Sequence, residues 1–490
     1  MPPGARASRN CGNCRAIKRR CDKQIPTCGQ CIRAHDQCSG YRDEWELLFH
    51  DQTSQTIKRS KEKMAQSSSS KIPSKTSLLG PSRSPSLNTD DIGVNYFLCH
   101  FVVGGSSPSR GYLNYVPGVF NDEGEQPTLV ASMAAVGLVA LANSTKQPEL
   151  AHRARTKYWE AINNVNAALA SPVESVKDST LMSVISLTLF EHVSNFDIWF
   201  RHIKGAVSLV ISRGKSQFSR PVSVLMFNQV RADMSAACVH ALEPLPEEML
   251  ELQDEAAKHP VASSGFWHLG RLATRVTNIL AGVRLTTDRD ALVCYLKQST
   301  VLLDDFKYVL EIFTKEEPYM TVRECGGDPE IFYNSRYDIY KSSWAIRIWN
   351  NSRILQVIVC EILFHLLTKG LTANPTPDQQ AQIDTKLQET LRIMSTLGDD
   401  ILATVPQAFG YVPFGSEKDT PSDLSAHGNI SGMYLMTWCL YTVGKSPVSR
   451  SKTRQWIMNR LRDIGQTAGI AMALQFVDDI DEIDSLAGRV

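Results

Sequence analysis

A chain of 490 residues with 52 Lys+Arg against 51 Asp+Glu is long enough for several domains, and as a whole too evenly charged to track a polyanion along its full length. Its longest apolar stretch, residues 129–142, is interrupted by Ser132 and Gly137 and falls short of the ~20 residues a membrane span needs, so no transmembrane segment is expected. The start, MPPGARASRN, carries no apolar run of the export kind, and the cysteines are therefore expected to stay reduced.

Six cysteines crowd into residues 11–38, at Cys11, Cys14, Cys21, Cys28, Cys31 and Cys38. The spacing is C-x2-C-x6-C, a gap of six, then C-x2-C-x6-C again, so one unit is written twice. No histidine completes a Cys2His2 site, because His35 lies off the cysteine pattern. Six thiolates cannot fill two separate tetrahedral zinc sites, but two ions can share them if two thiolates bridge. Three disulfides, with fifteen possible connectivities, are the alternative. A reducing compartment and an all-thiolate, closed, redox-silent site favour two Zn2+.

Charge is concentrated in the same place. Residues 1–42 hold nine Lys/Arg against Asp22 and Asp36, a net of +7, which leaves the remainder of the chain at −6. Two zincs on six thiolates lower the head to about +5. Arg15, Lys18, Arg19, Arg20 and Lys23 belong to the first unit and its exit, while the second has only Arg33 and His35. That is the footprint of a nucleic-acid binder. On a helix starting near Cys14, the residues Arg15, Lys18 and Arg19 share one face, which suits the major groove, where Lys or Arg reads the O6 and N7 of guanine.

The cysteine spacing, with Arg15, Lys18, Arg20 and Pro26 between the ligands, resembles the fungal Zn2Cys6 binuclear-cluster transcription factors. The resemblance implies that Cys11 and Cys28 bridge the two zincs and that each unit forms a short helix after its first cysteine pair. It further implies that Lys18 reads bases in a CGG-like half-site of double-stranded DNA, that the protein acts as a homodimer, and that it works in the nucleus. One position departs from the pattern: the residue before Lys18, often basic in the family, is Ile17.

Residues 43–66 follow as a linker or dimerisation helix, with Trp45, Leu48 and Phe49 as apolar anchors. Its heptad is poor: of Leu47, His50, Ser54, Ile57, Lys61 and Met64 only three are apolar, so dimerisation through it stays open. The basic run at 58–63 suits phosphate contact, nuclear import or a plain solvated face. Residues 67–91 are rich in Ser and Pro and read as a disordered linker, in which Ser84-Pro85 after Arg83 is a phosphorylation candidate.

Residues 92–475 read as one large all-α domain. Helices are predicted over 127–142, over 150–169 with Tyr158, Ala161, Ile162, Val165 and Leu169 at helical steps, and over 180–192 behind a cap at Asp178 or Ser179. Further helices are predicted over 202–212 with Gly214 at its end, then 266–281, 292–313, 340–367, 376–397, 432–443 and 451–476. The stretches TLMSVISLTLFEHVSNFDIWFRHIKGAVSLVISRG, SSWAIRIWNNSRILQVIVCEIL and RQWIMNRLRDIGQTAGIAMAL resemble the helical regulatory domain that accompanies many Zn2Cys6 factors. Glu191, His202, Gly205, Trp349, Asn350 and Arg353 sit at its recurrent positions and are expected to be buried packing groups.

No enzyme is indicated. Gly214-Lys215-Ser216 and Gly444-Lys445-Ser446 look like ends of phosphate loops, but Leu209 and Cys439 stand where the first glycine is required. HExxH, GxSxG and GxGxxG are absent. Cys238 and His240 read as a core pair before they read as metal ligands. The segment 476–490 reads as an acidic tail, alternating Asp478, Asp479, Asp481, Glu482 and Asp484 with Phe476, Val477, Ile480, Ile483 and Leu486. That is the composition of coactivator-binding segments and equally of a terminal amphipathic helix packed through Ile480, Ile483 and Leu486. Together these features point to a zinc-dependent, sequence-specific DNA-binding regulator of RNA polymerase II genes, of a metabolic or secondary-metabolite pathway. A coregulator whose cluster does not bind DNA alone is the alternative.

Overall fold

Caps and apolar periodicity recur through most of the chain, and in the computed structural model they end as helices. The structure describes residues 10–24, 27–40, 88–104, 111–123, 126–194, 199–371, 375–414 and 430–487. The segment 43–66, the linker as far as 87, and with them the basic run and Ser84-Pro85, lie outside the described residues. The chain divides into two units between Ser84 and Pro85.

The first unit contains α1 (Gly12–Ala16) and α2 (Gly29–Arg33). In the second, α3 (Thr89–Phe101) leads into a two-residue ladder of β1 (Val103–Gly104) and β2 (Gly111–Tyr112), then α4 (Val116–Glu123). The helices α5 (Pro127–Thr145), α6 (Pro148–Leu169), α7 (Asp178–Ser194), α8 (Trp199–Arg213), α9 (Pro221–Ala241), α10 (Glu247–Ala256), α11 (Gly265–Leu285) and α12 (Arg289–Glu316) follow. An antiparallel hairpin, β3 (Tyr319–Arg323) with β4 (Arg336–Tyr340), precedes α13 (Ser343–Thr368), α14 (Pro377–Leu402), α15 (Val405–Ala408), α16 (Ile430–Lys445), α17 (Ser451–Asp463) and α18 (Ala471–Ala487).

Local chemistry sets the ends. Thr376 caps α14 in a reciprocal box: its hydroxyl accepts from the Gln379 N–H (3.2 Å) and the Gln379 side chain accepts from the Thr376 N–H (2.9 Å). Asp288 caps α12 through the Ala291 N–H at 2.8 Å. Gly214 follows α8 with φ +60° and ψ −162°, a positive-φ conformation open to glycine but not the left-handed helical cap expected there.

Helix α5 is buried nearly all round and packs with α3, α6 and α7. It meets α3 through two glycines. A Cβ on Gly137 would stand 1.8 Å from the Gly93 carbonyl oxygen, and one on Gly93 would stand 2.7 Å from that of Ala134. At Gly137 the three nearest atoms are all backbone, so no flexible side chain is there to yield. Gly137→Val is therefore expected to lower the stability of the second unit by about 1–3 kcal/mol or more. Urea unfolding of the full chain would show this as an earlier midpoint with zinc content unchanged; an unmoved midpoint would mean the helices can separate freely.

The body is mostly helical but not all-α. Tyr319, Met320, Thr321 and Val322 form a strand whose link to β4 is a twelve-residue excursion rather than a tight turn, so no hairpin dipeptide marks it. The outer edge of β4 is satisfied by the interior: the Asp338 N–H donates to the Ala403 carbonyl (2.9 Å), and Gln407 exchanges bonds with the Tyr340 N–H (2.7 Å) and carbonyl (3.0 Å). The helix predicted from residue 340 accordingly starts at Ser343, capped by Ser342, with Tyr340 in the strand.

The helix predicted over 451–476 is broken. One π turn, Ile464–Ala468, ends at Gly469 (φ +71°), where a Cβ would lie 2.7 Å from the Ala140 carbonyl. Asn143 Nδ2 donates to the Gly469 carbonyl at 2.8 Å, so α5 dictates the break. Helices α9 and α10 were not predicted. Asn228, Gln229 and Arg231 are buried on α9 among apolar neighbours, which erases the one-sided period that sequence reading relies on.

The acidic tail is not a separate segment, because residue 476 falls within α18. Phe476, Val477 and Ile480 are in the core, and the Phe476 ring stacks on Tyr441 at 3.9 Å. Asp479 accepts from the Tyr441 hydroxyl at 3.2 Å, and Asp484 from Ser451 (2.8 Å) and Arg454 (3.2 Å). Asp178 and Ser179, expected to cap a helix from residue 180, lie inside the first turn of α7, and Asp178 is fully buried there, bonded to Arg213, to Arg220 at 2.9 Å and to Ser223 at 3.0 Å.

The polar positions shared with the regulatory-domain resemblance are mostly packing groups. His202 Nε2 meets the Tyr158 hydroxyl at 2.9 Å and Glu191 at 3.5 Å. Trp349 Nε1 donates to the Glu317 carbonyl (2.8 Å), and Asn350 links Thr404 and Arg353 (both 2.9 Å). Gly205 is the exception: it is exposed, with open space where a Cβ would be.

Candidate metal centre and nucleic-acid face

Each cysteine unit builds its own scaffold with sulfur. Cys11 precedes α1, and its Sγ accepts from the Cys14 N–H at 3.4 Å; Cys28 stands in the same relation to α2 and the Cys31 N–H at 3.3 Å. Each helix thus begins just after the first cysteine and encloses the second, rather than following the pair. Both end alike. Arg19 N–H donates back to the Cys14 carbonyl (2.8 Å) and Lys18 N–H to Arg15 (3.2 Å), while Asp36 and His35 do the same toward Cys31 (2.9 Å) and Ile32 (3.2 Å). This double bond closes a helix on a left-handed residue. Lys18 (φ 55°) and His35 (φ 51°) occupy that position, and Lys23 (φ 61°) and Gly40 (φ 74°) match further on.

The repeat brings the six sulfurs together. Cys11, Cys14, Cys21 and Cys28 have their Sγ atoms within 4.8 Å of one another, and so do Cys11, Cys28, Cys31 and Cys38. Cys11 and Cys28 are common to both sets. The Cys11–Cys28, Cys14–Cys28 and Cys11–Cys31 separations are 3.6, 3.7 and 3.8 Å. A tetrahedron with Zn–S of ~2.3 Å has sulfur–sulfur edges of about 3.8 Å, whereas a disulfide needs about 2.05 Å. All six are free thiols, so the donor set fits two four-coordinate zinc ions. Burial pushes the Cys11 thiol up, and zinc loading must displace its proton.

Neighbours orient this centre. Asn13 Nδ2 and Arg19 Nη2 lie 3.7 and 3.6 Å from Cys31 Sγ, and Arg19 also pairs with Asp36 at 3.2 Å. Asp22 accepts from the Gly29 N–H at 3.0 Å and holds the start of α2. A Cβ on Gly29 would stand 2.5 Å from the Asp22 carboxylate. Asn13 was not singled out in the sequence, and Asp22 and Asp36 entered there only as charges; their closeness in sequence to cysteine ligands was the available signal.

The basic residues do not share a helical face. Helix α1 ends at Ala16, and the left-handed turn at Lys18 breaks the i, i+3, i+4 alignment of Arg15, Lys18 and Arg19. Lys18, Arg20 and Lys23 project as exposed residues, and Arg15 is half-buried. Arg19 turns inward to Cys31 and Asp36 and is a brace of the cluster rather than a free cation. Ile17 is 55 % exposed beside Lys18. In the second unit Cys238 Sγ contacts the Pro244 carbonyl at 3.5 Å, and no metal-holding group forms there among the described residues.

Residues 9–45 match the family model of the fungal Zn(2)-Cys(6) binuclear cluster domain. No curated protein and no solved structure matches the chain significantly. The matched domain binds two zinc ions through six cysteines and is typical of fungal DNA-binding transcription regulators, not of enzymes.

Proposed function

We propose that the chain is a nuclear, zinc-dependent regulator of RNA polymerase II genes that reads CGG-like triplets of double-stranded DNA in the major groove. The observation that carries this reading is the pair of four-thiol sets sharing Cys11 and Cys28, with the exposed basic residues concentrated on the first unit. In this reading Cys11 and Cys28 bridge the ions, and Cys14, Cys21, Cys31 and Cys38 complete the two tetrahedra. Lys18 reads the guanine edge, Arg15, Arg20 and Lys23 meet phosphates, and Arg19 positions the cluster. A homodimer reads two triplets, the second unit is the regulatory domain, and its output goes through coactivators to genes of a metabolic or secondary-metabolite pathway.

Lys18 offers a clean test because its left-handed backbone costs a non-glycine residue roughly 1–2 kcal/mol. Lys18→Gly should therefore keep both zincs and the fold while losing the base contact. Discrimination between CGG-containing and scrambled duplexes is expected to fall by about 1–3 kcal/mol, measured by fluorescence anisotropy at fixed salt. Lys23→Ala should instead weaken all sequences alike and flatten the salt dependence. Undiminished discrimination by Lys18→Gly would remove Lys18 from the reading role.

A second reading, a coregulator whose cluster does not bind DNA by itself, is favoured by one observation: Ile17 exposes an apolar side chain on the face that would meet the groove. Selection from a random duplex pool separates the two. Enrichment of CGG triplets that is lost with a zinc chelator supports the first, and no enrichment from protein holding two zincs supports the second.

A further inference from the structure

The second unit contains a cavity of about 210 Å³ between α9, α11, α13 and α16. A buried water needs roughly 10–15 Å³ of such space, so the void takes on the order of fifteen heavy atoms rather than a water or two. Most of its wall is apolar or aromatic, including Tyr112, Phe266 and Trp438. Three charged side chains line it, Arg347 of α13, Asp233 of α9 and Lys445 of α16, and Lys445 stands 5.3 Å from the Tyr441 ring.

Arg347 is only 8 % exposed, yet among the described residues no carboxylate lies within ion-pair distance of it, and Asp233 acts on it only through its field. Its guanidinium lies 4.4 Å above the Tyr112 ring, Nη2 donates to Gln229 Oε1 at 3.3 Å, and Nη1 is buried with no hydrogen-bond partner among the described residues. A buried guanidinium left this way is costly unless something supplies an acceptor. Arg231, on the same helix as Asp233, is also held by neutral acceptors but by three of them, Gln253, Asn228 and the Trp267 carbonyl, which leaves its Nε alone without one among the described residues. Gln229 stands between Arg347 and Asp233: its Nε2 donates to Asp233 Oδ1 at 2.7 Å while its Oε1 accepts from Arg347. Asp233 is therefore held by a neutral amide and keeps its second oxygen for another donor, and burial pushes its carboxyl up to about 6.

We propose that this cavity binds a small, planar, mainly apolar molecule that presents a carboxylate or carbonyl oxygen to Arg347 and a hydroxyl or amine to Asp233. The aromatic wall supplies the stacking surface, and the two polar groups fix the orientation. The site lies wholly within the second unit, so its existence does not depend on the DNA-reading role of the first.

Trp199 and Trp438 line the cavity and report on its occupancy. The zinc-loaded full chain is titrated with 4-hydroxycinnamate, which carries both features, with cinnamate, which lacks the donor, and with 4-vinylphenol, which lacks the acceptor. Tryptophan fluorescence should be quenched saturably by 4-hydroxycinnamate and less tightly by the other two. Arg347→Met is expected to weaken 4-hydroxycinnamate tenfold or more. Asp233→Asn should narrow the gap between 4-hydroxycinnamate and cinnamate. Ala236→Phe, which places a ring inside the cavity, should weaken quenching by all three probes while the unit still melts cooperatively. That variant decides the matter if Arg347→Met fails to fold. Absence of saturable binding by all three probes at millimolar concentration would overturn the proposal. So would binding undiminished by both Ala236→Phe and Arg347→Met.

Discussion

Cys28→Ser is expected to strip the first unit of both zinc ions and of its fold, with DNA affinity falling by more than about a hundredfold. The reason is arithmetic of ligands and of burial. Cys28 belongs to both four-thiol sets, so its loss opens both tetrahedra, whereas Cys38 belongs to one. Among the described residues the unit's buried cluster consists of Cys11, Cys14, Cys28 and Cys31 themselves, and the surrounding contacts are a few polar bonds. Structural zinc contributes roughly 10–16 kcal/mol in small domains, far more than a core of that size provides. Zinc released to a colorimetric chelator, followed beside circular dichroism, should show two ions per chain for the wild type and none for Cys28→Ser. Cys38→Ser should keep about one. Retention of two zincs by Cys28→Ser would refute the bridging assignment, and the same value for Cys28→Ser and Cys38→Ser would deny any distinction between bridging and terminal thiols.

Asp178→Ala should be the most damaging single change within the helical unit. The carboxylate is fully buried where the starts of α7 and α9 meet the end of α8, and it serves Arg213, Arg220 and Ser223. The Arg213 side chain is 5 % exposed and among the described residues has its ion pair with Asp178 alone, so the substitution leaves a buried cation uncompensated. Breaking one side of such a pair costs about 3–5 kcal/mol, comparable with a large part of the stability of an ordinary domain. Asp178→Asn keeps the shape and one acceptor and should fall between. Urea unfolding would show the loss as a lower midpoint, with two zincs still bound at low urea. A midpoint within error of the wild type would mean that Arg213 finds another partner or reaches water.

The same geometry changes how the carboxy-terminal segment is probed. Removing 476–490 takes Phe476, Val477 and Ile480 out of the core, so lost activity after that truncation would report on folding as much as on coactivator binding. Substituting exposed Asp478 and Asp481 leaves the packing face intact and isolates the acidic character.

Much of the site was legible because it is local. The six cysteines lie within 28 residues, thiolate coordination has a narrow geometry, and a repeated spacing generates a repeated turn, so ligands and metal follow from the order of residues alone. The long helices were legible for a related reason: caps such as Thr376 and Asp288 act within one turn. Where sequence reading failed, the deciding partner was distant or the deciding feature was a backbone turn. The side chain of Arg19 is drawn inward by Cys31 and Asp36, and the helix assumed for Lys18 is closed by a left-handed turn that apolar and basic periodicity does not encode. The hairpin of β3 and β4 exists because Gln407 and Ala403 satisfy its edge, and the break at Gly469 exists because α5 passes there.

The amino-acid order by itself therefore determined the metal-binding unit, its positive charge and the helical character of the body. These depend on contacts between near neighbours, whose energies are set by residue type and spacing. Only the tertiary structure decided which cations remain exposed, that the acidic terminus belongs to the core, and that Arg347 and Asp233 face one cavity from positions more than a hundred residues apart. Burial and pairing are properties of what surrounds a group, and for these residues the surroundings are assembled from remote parts of the chain.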